Sequence, residues 1–188
     1  MSAPVQEVRR SDARRNREAI LCAARELFAE SGAVAMCEVA RRAGVGQATL
    51  YRNFPDRGAL LRELLDQEIE DLERLGREHA GDPDAFLVLL RNVVQMVARC
   101  HAIGELAGEE VVRSAEIEQR RRRLAEVFRV PLQEAKAAGS VRREVTVEDV
   151  FQIIRMLRGA VEDAGGAAAR AAAASRGLAI VLDGLLAA

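Results

Sequence analysis

Apolar positions recur at helical spacing along nearly the whole chain, and glycine and proline punctuate them. Ala13, Ile20, Ala24, Leu27 and Phe28 mark one face of a helix over residues 12–31, opened by Ser11 as a cap and stopped by Gly32. A short helix over 36–43 ends at Gly44, and a third covers 47–53. Pro55-Asp56 opens a long helix to residue 79, with an apolar face of Leu60, Leu61, Leu64, Leu65, Ile69, Leu72 and Leu75. Gly81-Asp82-Pro83 reads as a stop and restart, with Asp82 as cap, and the next helix runs to His101. Gly104 and Gly108 interrupt a short irregular piece. A helix over 114–138 ends at Gly139. Thr146, with Asp149 three residues on, resembles a capping box that opens a helix to Ala164. Gly165-Gly166 separates it from a last helix over 167–187. The pattern predicts an all-α chain of about nine helices with no alternating strand segment.

The stretch from Met36 to Phe54 is the most informative. Val39, Ala40, Val45, Leu50 and Phe54 form an inward set across two short helices, and the small Ala40 permits a close crossing. Gly44 suits the turn because it accepts positive φ without a Cβ clash. Gln47, Ala48, Thr49, Tyr51, Arg52 and Asn53 face away on the second helix. Gln and Asn can pair with adenine edges, Arg with guanine or phosphate, and Ala or a Thr methyl with a thymine methyl. Thr and Tyr hydroxyls suit phosphate oxygens, which set register without reading sequence. This is the build of a helix-turn-helix that enters a major groove.

Composition changes the picture little. Net charge is −1 over 188 residues, so bulk charge announces no nucleic-acid partner. Residues 1–58 nevertheless carry ten Arg against seven Asp and Glu, a balance of +3, while the remainder stands at −4. Apolar residues make up 49%, aromatics only 3%, and Trp is absent, so the core must consist mostly of Ala, Leu and Val. Cys22, Cys37 and Cys100 are odd in number and widely spaced, which suits reduced, buried thiols and not a disulfide scaffold; a redox-sensing role is the other reading. The N-terminus lacks a signal-peptide core and no apolar stretch is long enough to span a membrane, so a cytoplasmic location is expected. His79 and His101 have no metal-ligand spacing to Cys or carboxylates, and no phosphate-cradling loop or nucleophile elbow appears, so no metal, cofactor or catalytic residue is expected.

Three spaced motifs then agree in order and register. They are Arg17-(x)2-Ile20-(x)2-Ala23-Ala24-(x)2-Leu27-Phe28-Ala29-Glu30-(x)-Gly32; Val39-Ala40-(x)2-Ala43-Gly44-Val45; and Thr49-Leu50-Tyr51-(x)-Asn53-Phe54-Pro55-(x)-Arg57-(x)2-Leu60-Leu61. With these, residues 12–62 resemble the TetR family of bacterial transcriptional regulators. The chain departs from the family pattern in a shorter Gly32–Val39 segment. It has Ala35-Met36 where a capping, phosphate-touching Thr or Ser is usual. Gly46 replaces Ser, Asn53 replaces His or Tyr, and Arg57 replaces Lys.

Residues 1–10 read as a flexible tail, and the resemblance implies a helix-turn-helix DNA-binding domain over 11–54 and a helical effector-binding and dimerisation domain over 55–188. It implies a homodimer on a palindromic operator of double-stranded DNA, released by a small-molecule effector of unknown identity, with no membrane partner. Arg14, Arg17, Gln47, Ala48, Thr49, Tyr51, Arg52, Asn53 and Arg57 are the expected DNA contacts, with Arg9, Arg10 and Arg15 either joining them as a phosphate-backbone arm or lying in a solvated tail. Phe86, Leu90, Val94, Met96, Val97, His101, Phe128 and Met156 are the candidate lining of an effector cavity, or plain core. Two stripes, Val150, Ile154, Leu157, Val161 and Ala171, Ala174, Leu178, Val181, Leu185, are the expected dimer interface; the alternative is that both face the subunit's own core. The run Arg120-Arg121-Arg122-Arg123 reads as surface ion pairs with Glu116 and Glu118, or as a second nucleic-acid contact. A repressor is the first expectation. An activator or effector-independent regulator is the alternative, and a helical enzyme or carrier the remote one.

Overall fold

Two apolar cores organise the chain, and one long helix belongs to both. The computed structural model describes residues 3–31, 34–99, 114–162 and 164–185. Eight helices occur among them: α1 (Ala3–Glu30), α2 (Met36–Arg42), α3 (Gln47–Asn53), α4 (Arg57–Glu78), α5 (Ala85–Arg99), α6 (Ser114–Ala137), α7 (Val147–Glu162) and α8 (Gly166–Leu185). His101, Cys100 and the irregular piece around Gly104 lie outside the described residues.

The first core gathers Ile20, Leu21, Ala24 and Phe28 of α1, Val39 and Ala40 of α2, Leu50 and Phe54 at α3, and Leu60, Leu61 and Leu64 of α4. The second begins on α4 at Leu72 and takes in α5 from Phe86 to Ala98, then Leu124, Phe128 and Leu132 of α6 and the inner faces of α7 and α8. The expected division at residue 55 therefore falls too early. The first turns of α4 complete the N-terminal core, since Leu60, Leu61 and Leu64 pack into the same cluster as Leu50 and Phe54. The N-terminal boundary also differs: α1 starts at Ala3, so residues 3–10 extend the helix and Ser11 lies inside it. No helix breaker stands between Val5 and Ser11, and Pro4 sits where a first turn tolerates it.

Glycine follows the ends of α2, α4 and α6, at Gly44, Gly81 and Gly139, and Gly166 opens α8. Gly44, Gly81, Gly139 and Gly166 all have positive φ. Asp56 rather than Pro55 caps α4, its Oδ1 accepting from the Ala59 N–H at 2.6 Å. At α7 the capping box forms in both directions: the Thr146 N–H donates to Asp149 Oδ2 at 2.7 Å and the Asp149 N–H to Thr146 Oγ1 at 3.3 Å.

Three of the four arginines of the basic run on α6 pair within the fold, while Arg122 is exposed and the expected pair with Glu118 does not form among the described residues. Arg120 donates twice to Asp66 of α4, at 2.9 and 2.7 Å, and lies 3.7 Å from Glu116. Arg123 grips Glu73 at 2.8 and 3.0 Å and holds its carboxyl below the ordinary range. Arg121 pairs with Glu148 and lies over the Phe151 ring at 4.8 Å. The ion-pair reading extends beyond the local Glu116 partner, since the run ties α6 to α4 and α7.

The two thiols that are described, Cys22 and Cys37, are exposed, against the expectation of buried ones. Each falls on the solvent side of its helix, because Ile20, Ala23, Ala24 and Val39, Ala40 occupy the inward positions.

The capping box yields a test. Hydrogen bonds from Thr146, first its hydroxyl and then its backbone N–H, lower the Asp149 pKa. A carboxyl depressed in the folded state stabilises above its unfolded pKa, and that contribution is lost as pH falls through the folded value. Thr146→Ala should cost about 1 kcal/mol in urea unfolding at neutral pH. The penalty should shrink steadily on acidification below the ordinary carboxylate range.

Candidate nucleic-acid interface

The hairpin of α2 and α3 is fixed from within. Val39, Ala40, Leu50 and Phe54 are buried, and the Val45 N–H donates to the Ala40 carbonyl at 3.0 Å to close the turn. Gly44 takes φ 67° there, and an added Cβ would meet nothing within 4 Å. The requirement is therefore one of backbone conformation and not of space. On α1, Glu26 accepts from Arg42 Nε at 3.1 Å and raises the Arg42 pKa, which pins the end of α2.

With that interior set, α3 turns Gln47, Ala48, Tyr51 and Arg52 to solvent, while Thr49 and Asn53 are half-buried. Tyr51 stands 48% exposed, a large side chain half open to solvent. Arg52 folds along its own helix, donating to the Ala48 carbonyl and to Thr49 Oγ1, each at 3.1 Å. Asn53 Nδ2 donates to the Thr49 carbonyl at 2.8 Å. Exposed local bonds of this kind are worth about 0.5–1.5 kcal/mol net and exchange readily for stronger, charge-assisted partners. Neither short helix has a side-chain cap: Ala35 before α2 and Gly46 before α3 are extended and offer none.

The flanking arginines divide. Arg14 is exposed, with a 3.7 Å ion pair to Glu18 that costs little to give up. Arg57 is half-buried and lies over the Phe28 ring at 5.3 Å. Arg17 does something the sequence did not suggest. Its Nη1 donates to the Asn53 carbonyl at 3.3 Å, its Nη2 pairs with Glu63 at 3.0 Å, and its guanidinium covers the Phe54 ring at 4.5 Å. Arg17 thus clamps the end of α3 to α4, through partners too far along the chain for spacing to reveal.

A buried carboxylate joins this unit to the rest. Glu68 of α4 is 6% exposed and sits between Arg25 of α1, at 3.4 Å, and Arg99 of α5, at 2.7 Å. The sequence carries its signal, since Glu68 interrupts the apolar stripe between Leu64 and Leu72. Charge in such a stripe implies a paired, desolvated group.

The expected cavity and interface residues fall differently. Phe86, Leu90, Val94, Val97 and Phe128 are all buried in the second core, with the Phe86 and Phe128 rings meeting edge to face at 6.1 Å. Met156 is 63% exposed, on the outer face of α7, so it cannot line an interior cavity. Two clefts flank α4 instead. One of about 350 Å³ is lined by Asp66, Glu70, Glu116, Arg120 and neighbours, and one of about 250 Å³ by Glu68, Leu72, Met96, Arg99 and others. Of the candidate lining among the described residues, only Met96 borders either.

Of the two stripes assigned to a partner subunit, Val150, Leu157, Val161, Ala174, Leu178 and Leu185 are buried in the subunit's own core. Ile154 and Val181 are packed against that core, and Ala171 is half-buried. The stripes therefore face inward. Helical periodicity identifies a buried face without saying which body buries it. The outer faces of α7 and α8 carry Met156 and Ile180, 63% and 61% exposed, among exposed Gly159, Ala160, Ala172 and Ala179.

Comparison with known proteins agrees with this geometry. The family model for bacterial regulatory proteins of the tetR family matches residues 20–64, and that for the C-terminal domain of SbtR-like transcriptional regulators matches residues 82–187. The HTH-type transcriptional repressor LfrR of Mycolicibacterium smegmatis is 40% identical over 83 residues, a match spanning 43% of this chain and 43% of that relative. A crystal structure of a TetR transcription regulatory protein from Mycobacterium vanbaalenii superposes with TM-score 0.66 at 27% identity, covering 94% of this chain and 98% of that one. A TetR transcriptional regulator from Streptomyces coelicolor gives TM-score 0.66 at 25% identity, over 91% and 98% of the two chains.

The turn supplies the test of this unit. Gly44→Ala should destabilise the chain by about 1–2 kcal/mol in chemical denaturation, the cost of a left-handed non-glycine residue. Gly46→Ala, in an extended position with open space, should cost less.

Proposed function

This chain belongs to the TetR family of bacterial regulatory proteins, and from that premise we propose that it acts as a homodimeric repressor, released from a palindromic operator when a small molecule binds. The observation that carries the reading is the split character of α3. Leu50 is wholly buried and fixes the helix, while Gln47, Ala48, Tyr51 and Arg52 are exposed on the opposite side. A helix held by its apolar face and polar on its outer one can enter a major groove without repacking. Gln47 and Arg52 then meet base edges, Tyr51 and Thr49 meet phosphates, and Arg14 and Arg57 add charge at the flanks.

Two such helices need a spacing of about 34–36 Å to occupy successive turns on one side of a duplex. The outer faces of α7 and α8 suit the role of holding them. Small residues permit close approach of helices across a two-fold axis, and Met156 and Ile180 supply apolar area. The part of the assigned stripes that is buried supports this surface from beneath. The core between α5 and α6, with Phe86, Leu90, Val94, Val97 and Phe128, is the apolar region in which an effector would find contacts. An effector that favours a different separation of the two α3 helices shifts the population away from the operator-bound form. That the relative LfrR is named a repressor favours repression over activation.

Two measurements test the reading. Tyr51→Ala and Arg52→Ala should each weaken binding by about 1–3 kcal/mol, read by fluorescence anisotropy on a duplex footprinted upstream of the chain's own gene. Both variants should keep the wild-type oligomeric state, and undiminished affinity in both overturns the assignment. Introducing Met156→Asp together with Ile180→Asp should yield folded monomers on gel filtration that no longer hold the operator. Leu178→Ala, in the inner stripe, should instead cost about 2–5 kcal/mol of stability without selectively splitting the dimer.

A further inference from the structure

Arg170 is the other buried charge of the described chain, and none of the surfaces above uses it. It lies in the second turn of α8 with 4% of its surface exposed, the one long side chain in an otherwise alanine run from Ala167 to Ala174. The small neighbours allow α8 and α1 to touch there. Its Nη2 donates to the Ala29 carbonyl and, at 3.2 Å, to the Glu30 carbonyl. These are the last two residues of α1. Carbonyls at a helix C-terminus have no intrahelical partner and carry the negative end of the helix dipole.

Nε of the same guanidinium is buried with no hydrogen-bond partner among the described residues. A desolvated guanidinium is tolerated only where something compensates it. Here the hydrogen bonds that do so come from the end of α1. The arrangement is consequently intolerant of displacement: if that helix end moves away, a buried cation loses its acceptors.

The position matters because α1 ends just before the hairpin, which begins at Met36. The Glu68 joint holds α1 part-way along, at Arg25. Arg17, paired with Glu63, ties α1 to α4 nearer its start, and neither tie reaches the last turn, whose direction the Arg170 contact fixes. From the outer face of α8, through Arg170 to α1 and on to α3, rigid helices then run from the proposed two-fold axis to the groove-reading surface. We infer that Arg170 is a positioning residue for DNA binding. By capping the end of α1 it sets the angle at which the body presents α3, and so the half-site spacing that the dimer accepts. The inference rests on the dimeric regulator reading above.

The test is Arg170→Met, which keeps length and removes charge and donors. It is measured on a two-half-site duplex recovered by footprinting with the wild type, on the same duplex with base pairs added or removed between half-sites, and on a single half-site. Gel filtration and circular dichroism should report a folded dimer. Affinity for the native spacing should fall about tenfold, the single half-site should bind as in wild type, and the altered spacings should be discriminated less sharply. Arg170→Lys, which keeps the charge and one donor, should fall between; if the methionine variant does not fold, the lysine variant decides. Wild-type spacing discrimination in every variant that folds overturns the inference. So does loss of single half-site binding, which would place the effect inside the reading unit itself. Absence of any duplex bound by the wild-type protein defeats the regulator reading, and the inference with it, and is distinguished by failing before any variant is compared.

Discussion

The structure depends on α4 being held in two cores at once. A helix of 22 residues is about 33 Å long, enough to run from one core into the next without a break. Its first turns give Leu60, Leu61 and Leu64 to the core beneath the hairpin, and its later turns give Leu72 to the core of the body. Both cores are close-packed, so neither absorbs a shift by deforming smoothly. Rotation or translation of α4 at one end must therefore appear at the other. This is the physical basis on which a ligand in the body could reach a helix that touches DNA.

Between the helices the joints are polar. Glu68 draws Arg25 and Arg99 to one carboxylate, Arg17 ties α3 to α4 through Asn53 and Glu63, and Arg120 and Arg123 fasten α6 to Asp66 and Glu73 of α4. Ion pairs at partly exposed sites add little to stability, and buried ones roughly break even against apolar packing. What they do add is geometry, since a bidentate arginine can donate to its carboxylate in few orientations. Placed at the seams between helices, they define how the pieces meet while apolar packing supplies the cohesion.

Scarcity of aromatics shapes the body. With few large rings, the chain relies on alanine, leucine and valine, and on close approach of helices. Gly177 of α8 faces Leu157 of α7 at a distance that leaves no room for a Cβ. The same economy leaves small residues on the outer faces of α7 and α8, where a second copy can come near.

Much of this was legible in the residues. Periodicity and punctuation located the helices, the left-handed glycine turn and the Thr146–Asp149 box, because those features depend on neighbours within a few positions. The outward set of α3 was legible for the same reason: Leu50 and Phe54 fix one face, and the other follows. What the sequence could not show is which body covers an apolar stripe. Leu157 and Leu178 have the same spacing whether they meet their own core or a partner, and only the packed helices assign them inward and leave Met156 outside. Nor could spacing reveal Arg17 on Asn53, Arg25 and Arg99 on Glu68, or Arg170 on the end of α1. Those contacts join residues far apart in the chain, and their existence is decided by how helices cross, a property of the whole assembly and not of any one segment.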